Sequence, residues 1–338
     1  MKKGQIITAL DIGTTKICVI IADINEENKL EVRGIGTNKS NGLINGVVND
    51  ISKASQAIAG AIREAEEMAG IKAKNIFVGI AGEHMKSQNT LGRISLTTGS
   101  EPCEITQEHV DNVITNSKNN VKIQQGNERL EIIHAIPQYY DIDGQDGIMN
   151  PVNMSGFNLS AYVHIVMADI NAIRNINKCV EIAGYKIEDI ILEPIASSFA
   201  VLNEVEKTLG SILIDIGGGT TDIAVFFKDS IRFSGVIPLV KMITAGLTLT
   251  GGASLLKNTD VLAEEIFNKS TKIGYPDLSQ LSGPTDRLEN PKFATSVGIL
   301  YKAFQVISEG QEKIQQFKSR DPFMNFLKKI IDGIKDYF

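Results

Sequence analysis

Ile212-Leu213-Ile214-Asp215-Ile216-Gly217-Gly218-Gly219-Thr220-Thr221-Asp222-Ile223-Ala224-Val225-Phe226 is an apolar run, broken by three glycines and a threonine pair, that resumes as a second apolar run. The pattern predicts two buried strands joined by a tight hairpin. Glycine permits positive φ, and without a β-carbon it lets main-chain N–H groups crowd around an anion. The hydroxyls of Thr220 and Thr221 can add donors. Asp215 at the mouth would repel a bare phosphate, so it implies an intervening cation such as Mg²⁺. The loop is neither a P-loop, which needs Gly-Lys-Ser/Thr opening a helix, nor a dinucleotide turn with GxGxxG spacing.

A near copy lies at Ile7-Thr8-Ala9-Leu10-Asp11-Ile12-Gly13-Thr14-Thr15-Lys16-Ile17-Cys18-Val19-Ile20-Ile21. It has the same strand, the same Asp-Ile-Gly, a threonine pair and a second strand. Internal self-similarity of this kind implies two related α/β halves facing a shared cleft. A third piece, Leu247-Thr248-Leu249-Thr250-Gly251-Gly252-Ala253-Ser254, is a strand, a Gly-Gly turn and a helix start. It suits the ribose and adenine side of a nucleotide. A single Gly-rich turn would be only a turn; two matched hairpins followed by Thr-Gly-Gly make a nucleotide cleft.

At these residues the chain resembles the actin-like ATPase superfamily, and within it the FtsA family of bacterial division proteins. The resemblance runs from Thr8 to Phe338 and implies an α/β, actin-like (ribonuclease H-like) duplicated fold with a small α+β inserted subdomain and a C-terminal amphipathic helix. It implies ATP and Mg²⁺ as cofactors. Asp11 and Asp215 would hold Mg²⁺ through water, and Gly13, Thr14, Thr15, Lys16, Gly217, Gly218, Gly219, Thr220 and Thr221 would cradle the phosphates. Gly251, Gly252 and Ala253 would approach the nucleoside, and Glu193 would orient the attacking water, the three carboxylates forming the catalytic set. Any hydrolysis should be slow, a weak ATPase at most. FtsZ, further copies of the chain in a filament, and the inner membrane surface are the implied partners, at the cytoplasmic face of the bacterial cell membrane.

The composition agrees with a globular protein of two ordinary domains, since 338 residues with 43% hydrophobic and 22% charged side chains suffice for real cores. A net charge of −6 without any basic run argues against nucleic acid. Three scattered cysteines lack metal or disulfide spacing, as expected in a reducing cytoplasm, and the start of the chain shows no signal peptide. Strand Leu30 to Thr37, helix Ser52 to Ala69 closed by Gly70, and strand Asn75 to Gly82 complete a first half over residues 1–82. Residues 83–160 turn polar and loop-rich, which marks the inserted subdomain. The first half resumes over 161–195, beginning with strand Ala161 to Asp169 and ending at Glu193-Pro194. The second half occupies 196–290, a crossing helix 291–307 and a polar tether 308–321.

In the second half the third strand, Ile231 to Leu239, is followed after only about seven residues by Gly246 to Thr250. A parallel crossover wants roughly a dozen residues or more, usually with a helix. By resemblance, a helix and a whole subdomain that walls the adenine pocket and docks FtsZ should stand here; this chain lacks them, which puts tight ATP binding and FtsZ binding in question.

Asp321-Pro322 forms a helix start, a capping carboxylate followed by proline. Phe323, Phe326, Leu327, Ile330, Ile331 and Ile334 then fall on one stripe, with Lys328, Lys329 and Lys335 opposite. A helix over 322–338 is too short to span a bilayer but suits one lying in its interface. The alternatives are a PilM-like cytoplasmic scaffold, which needs no lipid-binding tail, and a sugar or acetate kinase of the same superfamily, for which no substrate-binding aspartate motif is found.

Overall fold

The computed structural model describes residues 4–44, 46–82, 84–97, 99–121, 130–235, 246–267 and 269–320, with side chains to 309. The first half contains strands β1 (Ile6–Ile12), β2 (Lys16–Ile24) and β3 (Leu30–Lys39), the two-residue strands β4 (Leu43–Ile44) and β5 (Val47–Val48), helix α1 (Ile51–Ala69) and strand β6 (Ile76–Ile80). The chain then leaves for β7 (Met85–Ser95), β8 (Cys103–Glu104), α2 (Gln107–Asn119), β9 (Leu130–Ile142), β10 (Gln145–Ile148), β11 (Ser155–Gly156) and β12 (Asn158–Asp169). It returns through α3 (Ile170–Ile182), β13 (Ile187–Leu192), α4 (Glu193–Val201) and α5 (Glu204–Leu209). The second half is β14 (Ser211–Ile216), β15 (Thr221–Phe227), β16 (Ser230–Gly235), β17 (Gly246–Thr250), α6 (Thr259–Phe267), β18 (Thr271–Ile273) and β19 (Leu281–Ser282), closed by α7 (Ala294–Arg320).

The duplication read from the two hairpins is a duplication of sheets. One runs β13-β6-β1-β2-β3-β19 and the other β16-β15-β14-β17-β18. In each, an antiparallel hairpin (β1–β2, β14–β15) has a parallel strand on the outer side of its first member. The connecting helices exchange partners: α4 leaves the first half to pack on β14, β15 and β17, while α7 leaves the second to pack on β1, β2 and β6. Their crossing fills the space between the sheets with Ala9, Ile20, Leu213, Ala224, Val297 and Leu300, all essentially without exposed surface. Gly298 permits that crossing, because a β-carbon there would overlap the Ala196 carbonyl.

The outer face of the first sheet is covered by α1 and α3. The α1 helix forms as its sequence dictates: Asp50 caps the Lys53 N–H, Ala54, Ile58, Ala61, Ile62 and Ala65 recur on one face, and Gly70 ends it at φ 67°.

Several expectations need correction. Strand β12 starts at Asn158 and pairs throughout with β7 and β9, in a sheet ordered β10-β9-β12-β7. The strand expected to resume the first half at residue 161 therefore belongs to the insertion, because strand partners are set by long-range register rather than by local pattern. The expected tether 308–321 is, as far as Arg320, a continuation of α7; Gln, Glu and Lys are good helix formers, and polarity alone does not make a linker. The helix expected after Gly251-Gly252 is a single 3₁₀ turn, Gly252–Leu255.

Strand β16 is described to Gly235; the remainder of the expected strand and the crossover, 236–245, lie outside the described residues, as does the terminal stripe 322–338. The sheet order is nonetheless that of the first half. Ten residues separate Gly235 from Gly246 where the first half has a helix, so the chain lacks the second-half subdomain.

Candidate nucleotide cleft

Both Asp-Ile-Gly turns sit at the same end of their sheets and face each other across the α4–α7 crossing. The register places Asp11 opposite Cys18 and Asp215 opposite Asp222, so the two hairpins differ by one carboxylate. A cleft of about 340 Å³ between them is lined by Asp11, Gly13, Thr14, Thr15, Lys16, Glu193, Asp215, Gly217, Gly218, Thr220, Gly251, Gly252 and Ala253. Of the cradle residues expected from sequence, Gly219 and Thr221 fall outside this lining and open on a separate cavity between β15 and the root of the insertion. Lys292 and Thr295, from the other connecting segment, join the cleft instead.

Hydroxyls from the crossing helices hold the two aspartates. Ser296 Oγ of α7 donates to Asp11 Oδ2 at 2.8 Å. Ser197 Oγ of α4 and Thr295 Oγ1 of α7 donate to Asp215 Oδ2 at 2.8 and 3.0 Å. One oxygen of each carboxylate is thus fixed by the scaffold. Lys16 Nζ reaches across the cleft to donate to the Lys292 carbonyl at 2.7 Å and lies 3.9 Å from the centre of the Phe293 ring. It joins first half to second.

The glycines act by lacking a side chain rather than by positive φ. Gly13, Gly217, Gly218 and Gly219 have ordinary negative φ, and Gly218 and Gly219 lie directly against Thr15 and Thr14 of the facing loop. Of the glycines lining the cleft, Gly251 needs both freedoms: its φ is +83°, and a β-carbon there would overlap Asp215 Oδ1.

The cleft collects more negative charge than it can neutralise. Burial raises the Asp11 and Asp215 carboxyls above their ordinary values, with Lys16 pulling the other way. Glu193 is pushed well above the usual range by burial and then by Asp11, Asp222 and Asp215. Asp222 rises to about 6 by burial and by its cross-strand neighbour Asp215. Lys16 is the one cationic group that opposes this in both aspartates. The donor set fits a hard divalent cation: oxygen ligands, net negative charge and hydroxyl-fixed carboxylates. Among the described residues no three carboxylate, imidazole or thiol groups stand close enough to hold a metal directly.

These shifts carry a sign. A carboxyl raised in the folded state binds its proton more tightly there than in the unfolded chain, so stability falls as pH rises through the window between the two values. For Asp222 that window runs from 3.8 to about 6. The expected result is a Tm that falls from pH 5 to pH 7 in the free protein, with Asp222→Asn and Glu193→Gln each flattening the fall. A profile identical in wild type and both variants would show that neither carboxyl is raised.

Sequence reasoning missed Ser197, Thr295, Ser296, Lys292 and Asp222. Asp222 was inside the quoted hairpin. The hydroxyls had a signal too: Ala196-Ser197-Ser198 and Ala294-Thr295-Ser296 repeat a small-hydroxyl-hydroxyl triplet in the two connecting helices.

Residues 82–167 match the family described as "SHS2 domain inserted in FTSA". The chain is 32% identical to the cell division protein FtsA of Pseudomonas aeruginosa over 422 aligned positions, covering 98% of this chain and 99% of the relative. It is 31% identical to FtsA of Neisseria meningitidis serogroup B, over 89% and 91%. Because 422 positions are aligned against a chain of 338, at least 84 of them hold residues of the Pseudomonas protein with no counterpart here. Among solved structures, a PilM–PilN type IV pilus biogenesis complex superposes with a TM-score of 0.65 at 12% identity, over 88% of this chain and 98% of that one, a likeness of fold alone. Two duplicated sheets with facing Asp-Ile-Gly hairpins and crossed helices define an actin-like ATPase fold. Within that class, the chain belongs to the FtsA family of cell division proteins.

Proposed function

We propose that this protein is an actin-like adaptor of bacterial division. In this reading it binds ATP with Mg²⁺ between its halves, assembles with its own copies, and ties FtsZ filaments to the cytoplasmic face of the cell membrane. The observation that carries the nucleotide part is the convergence of both Asp-Ile-Gly hairpins, Thr-Gly-Gly and Glu193 on one cleft. Asp11 and Asp215 would hold Mg²⁺ through water, and the ion would supply the positive charge that the buried carboxylates and the phosphates need. Thr14, Thr15, Lys16, Gly217, Gly218 and Thr220 would bind phosphate oxygens.

Burial and then the neighbouring Asp11, Asp222 and Asp215 raise the Glu193 carboxyl well above its ordinary value, so a cation held at the two aspartates would favour its carboxylate form. Hydrolysis in this reading is slow, as the family resemblance implies, with the nucleotide acting chiefly as glue between halves.

The test is the melting temperature with and without Mg-ATP. A ligand that binds only the folded chain stabilises it by about 2.7 kcal/mol at a hundredfold excess over Kd, which corresponds to a rise of a few degrees at this size. A cooperative melt that Mg-ATP leaves unmoved would sink the nucleotide reading.

The membrane part rests on the stripe Phe323, Phe326, Leu327, Ile330, Ile331 and Ile334, and among the described residues no helix is long and apolar enough to cross a membrane. Burying several large side chains at about 25 cal/mol per Å² stabilises the bound state by several kcal/mol. Deleting residues 322–338 should lower affinity for anionic liposomes by about 100-fold or more in co-sedimentation. Unchanged sedimentation would favour a PilM-like scaffold. For FtsZ no docking residue is assigned, since the family's docking subdomain is missing from this chain.

A further inference from the structure

Strand β16 is the outer edge of the second half's sheet, and an edge strand presents backbone groups that need partners. It finds them on the inserted subdomain, which enters and leaves through the first half. Ser87 Oγ of β7 donates to the Ser234 carbonyl at 2.6 Å, and Asn89 Nδ2 donates to the Arg232 carbonyl at 3.1 Å. Gln138 Nε2 of β9 donates to the Ile231 carbonyl at 2.8 Å, while Ser230 Oγ donates back to the Gln138 carbonyl at 2.9 Å. The Arg232 guanidinium lies over the Tyr139 ring.

His164 of β12 completes the set. Its Nδ1 is 2.7 Å from Asn89 Oδ1, which can only accept, and its Nε2 is 2.8 Å from Ser234 Oγ. The neutral Nδ1–H tautomer satisfies both, with Ser234 donating to Nε2. Burial lowers this imidazole to about 4, which keeps it neutral.

Water can satisfy the polar groups of these contacts once they part, although Ile231 of β16 also shares an apolar cluster with Val166 and Ile136 of the insertion. The α4–α7 crossing is more tightly constrained: it is close-packed and intolerant of a single methyl at Gly298. Between pivot and plate lies the phosphate loop, and Asp222 just after it lines one cavity together with Gly82 at the root of the insertion.

We propose that the inserted subdomain is latched to β16 by this polar plate, and that latch and nucleotide cleft open and close as one motion about the α4–α7 pivot. Nucleotide occupancy is thereby converted into the placement of the inserted subdomain. The ligand arm of this proposal rests on the nucleotide reading above; the mechanical arm does not.

The experiment is pulsed electron spin resonance on the full chain with Cys103→Ser, which leaves only the buried Cys18 and Cys179. Labels at the exposed positions Glu67 and Lys257 report the cleft, and labels at Asp146 and Lys257 report the insertion against the second half. Without nucleotide, Gln138→Met with Ser234→Ala should broaden both distance distributions about twofold. Broadening of the insertion distance alone, or of neither, overturns the proposal. Should the double variant melt without cooperativity, Ser234→Ala alone is read in its place. With Mg-ATP, whose binding is checked by Tm in the same samples, both distances should narrow together; a cleft that narrows while the insertion distance stays put also overturns it. If Tm does not rise, the nucleotide reading fails and the nucleotide-free distances alone decide the latch.

Discussion

Gly298→Ala should lower the Tm of the free protein by roughly 5–10 °C, the consequence of about 3 kcal/mol of overpacking in a chain of this length. The added methyl overlaps the carbonyl oxygen and carbon of Ala196, which are main-chain atoms of the facing helix and cannot turn aside as a side chain would. The helices must therefore separate, and the contacts of Val297, Ile299 and Leu300 with the first half loosen together. The same separation draws Ser296 from Asp11, and Thr295 from Ser197 and Asp215. Mg-ATP binding should weaken in parallel. A Tm within a degree of wild type would mean that the crossing is looser than the geometry describes.

Asp215→Asn should do two opposite things. Free of ligand, the variant should melt at or above the wild-type temperature, because a carboxyl that burial makes costly to ionise is replaced by a neutral group of the same shape. The amide oxygen can still accept from Ser197 and Thr295. With Mg²⁺ and ATP, however, the stabilisation should vanish, an affinity loss of about 100-fold or more, since a water-held cation loses one of its two anionic anchors. Calorimetric titration with Mg-ATP measures this directly. Asp11→Asn should repeat the loss, and a variant that binds as wild type would remove that carboxylate from the ion site.

The pairing of opposite effects has a physical origin. The three carboxylates of the cleft, and Asp222 on the neighbouring strand, are buried where desolvation outweighs the help of Lys16 and the hydroxyls, so each costs stability until a cation arrives. Sites of this kind sacrifice stability for function, and here the sacrifice is concentrated in residues that the sequence displays within two short motifs and one connecting segment.

Much of this was legible in the chain itself. Two Asp-Ile-Gly hairpins and a Thr-Gly-Gly turn, at matching places in two α/β patterns, determined the duplicated fold and most of the cleft lining, because tight turns and buried strands are specified by neighbours in sequence. The same local signals placed α1 over Ser52 to Ala69, closed by Gly70, one residue short of its start at Ile51. The short connection after β16 was equally visible, as a matter of counting residues against the reach of an extended chain.

Tertiary structure decided what depends on residues far apart. It assigned β12 to the inserted sheet, because an amphipathic strand does not encode its partner. It turned an expected tether into the end of α7, and it moved Gly219 and Thr221 out of the cleft while bringing Lys292 and Thr295 in. Ser197 and Ser296 look like ordinary helix serines in sequence; their roles exist only because two helices exchange partners and carry them to aspartates 18 and 285 residues away. The polar plate on β16 is of the same kind. Its hydrogen bonds join residues about 70 to 150 apart, a distance over which sequence pattern fixes composition and folding alone fixes contact.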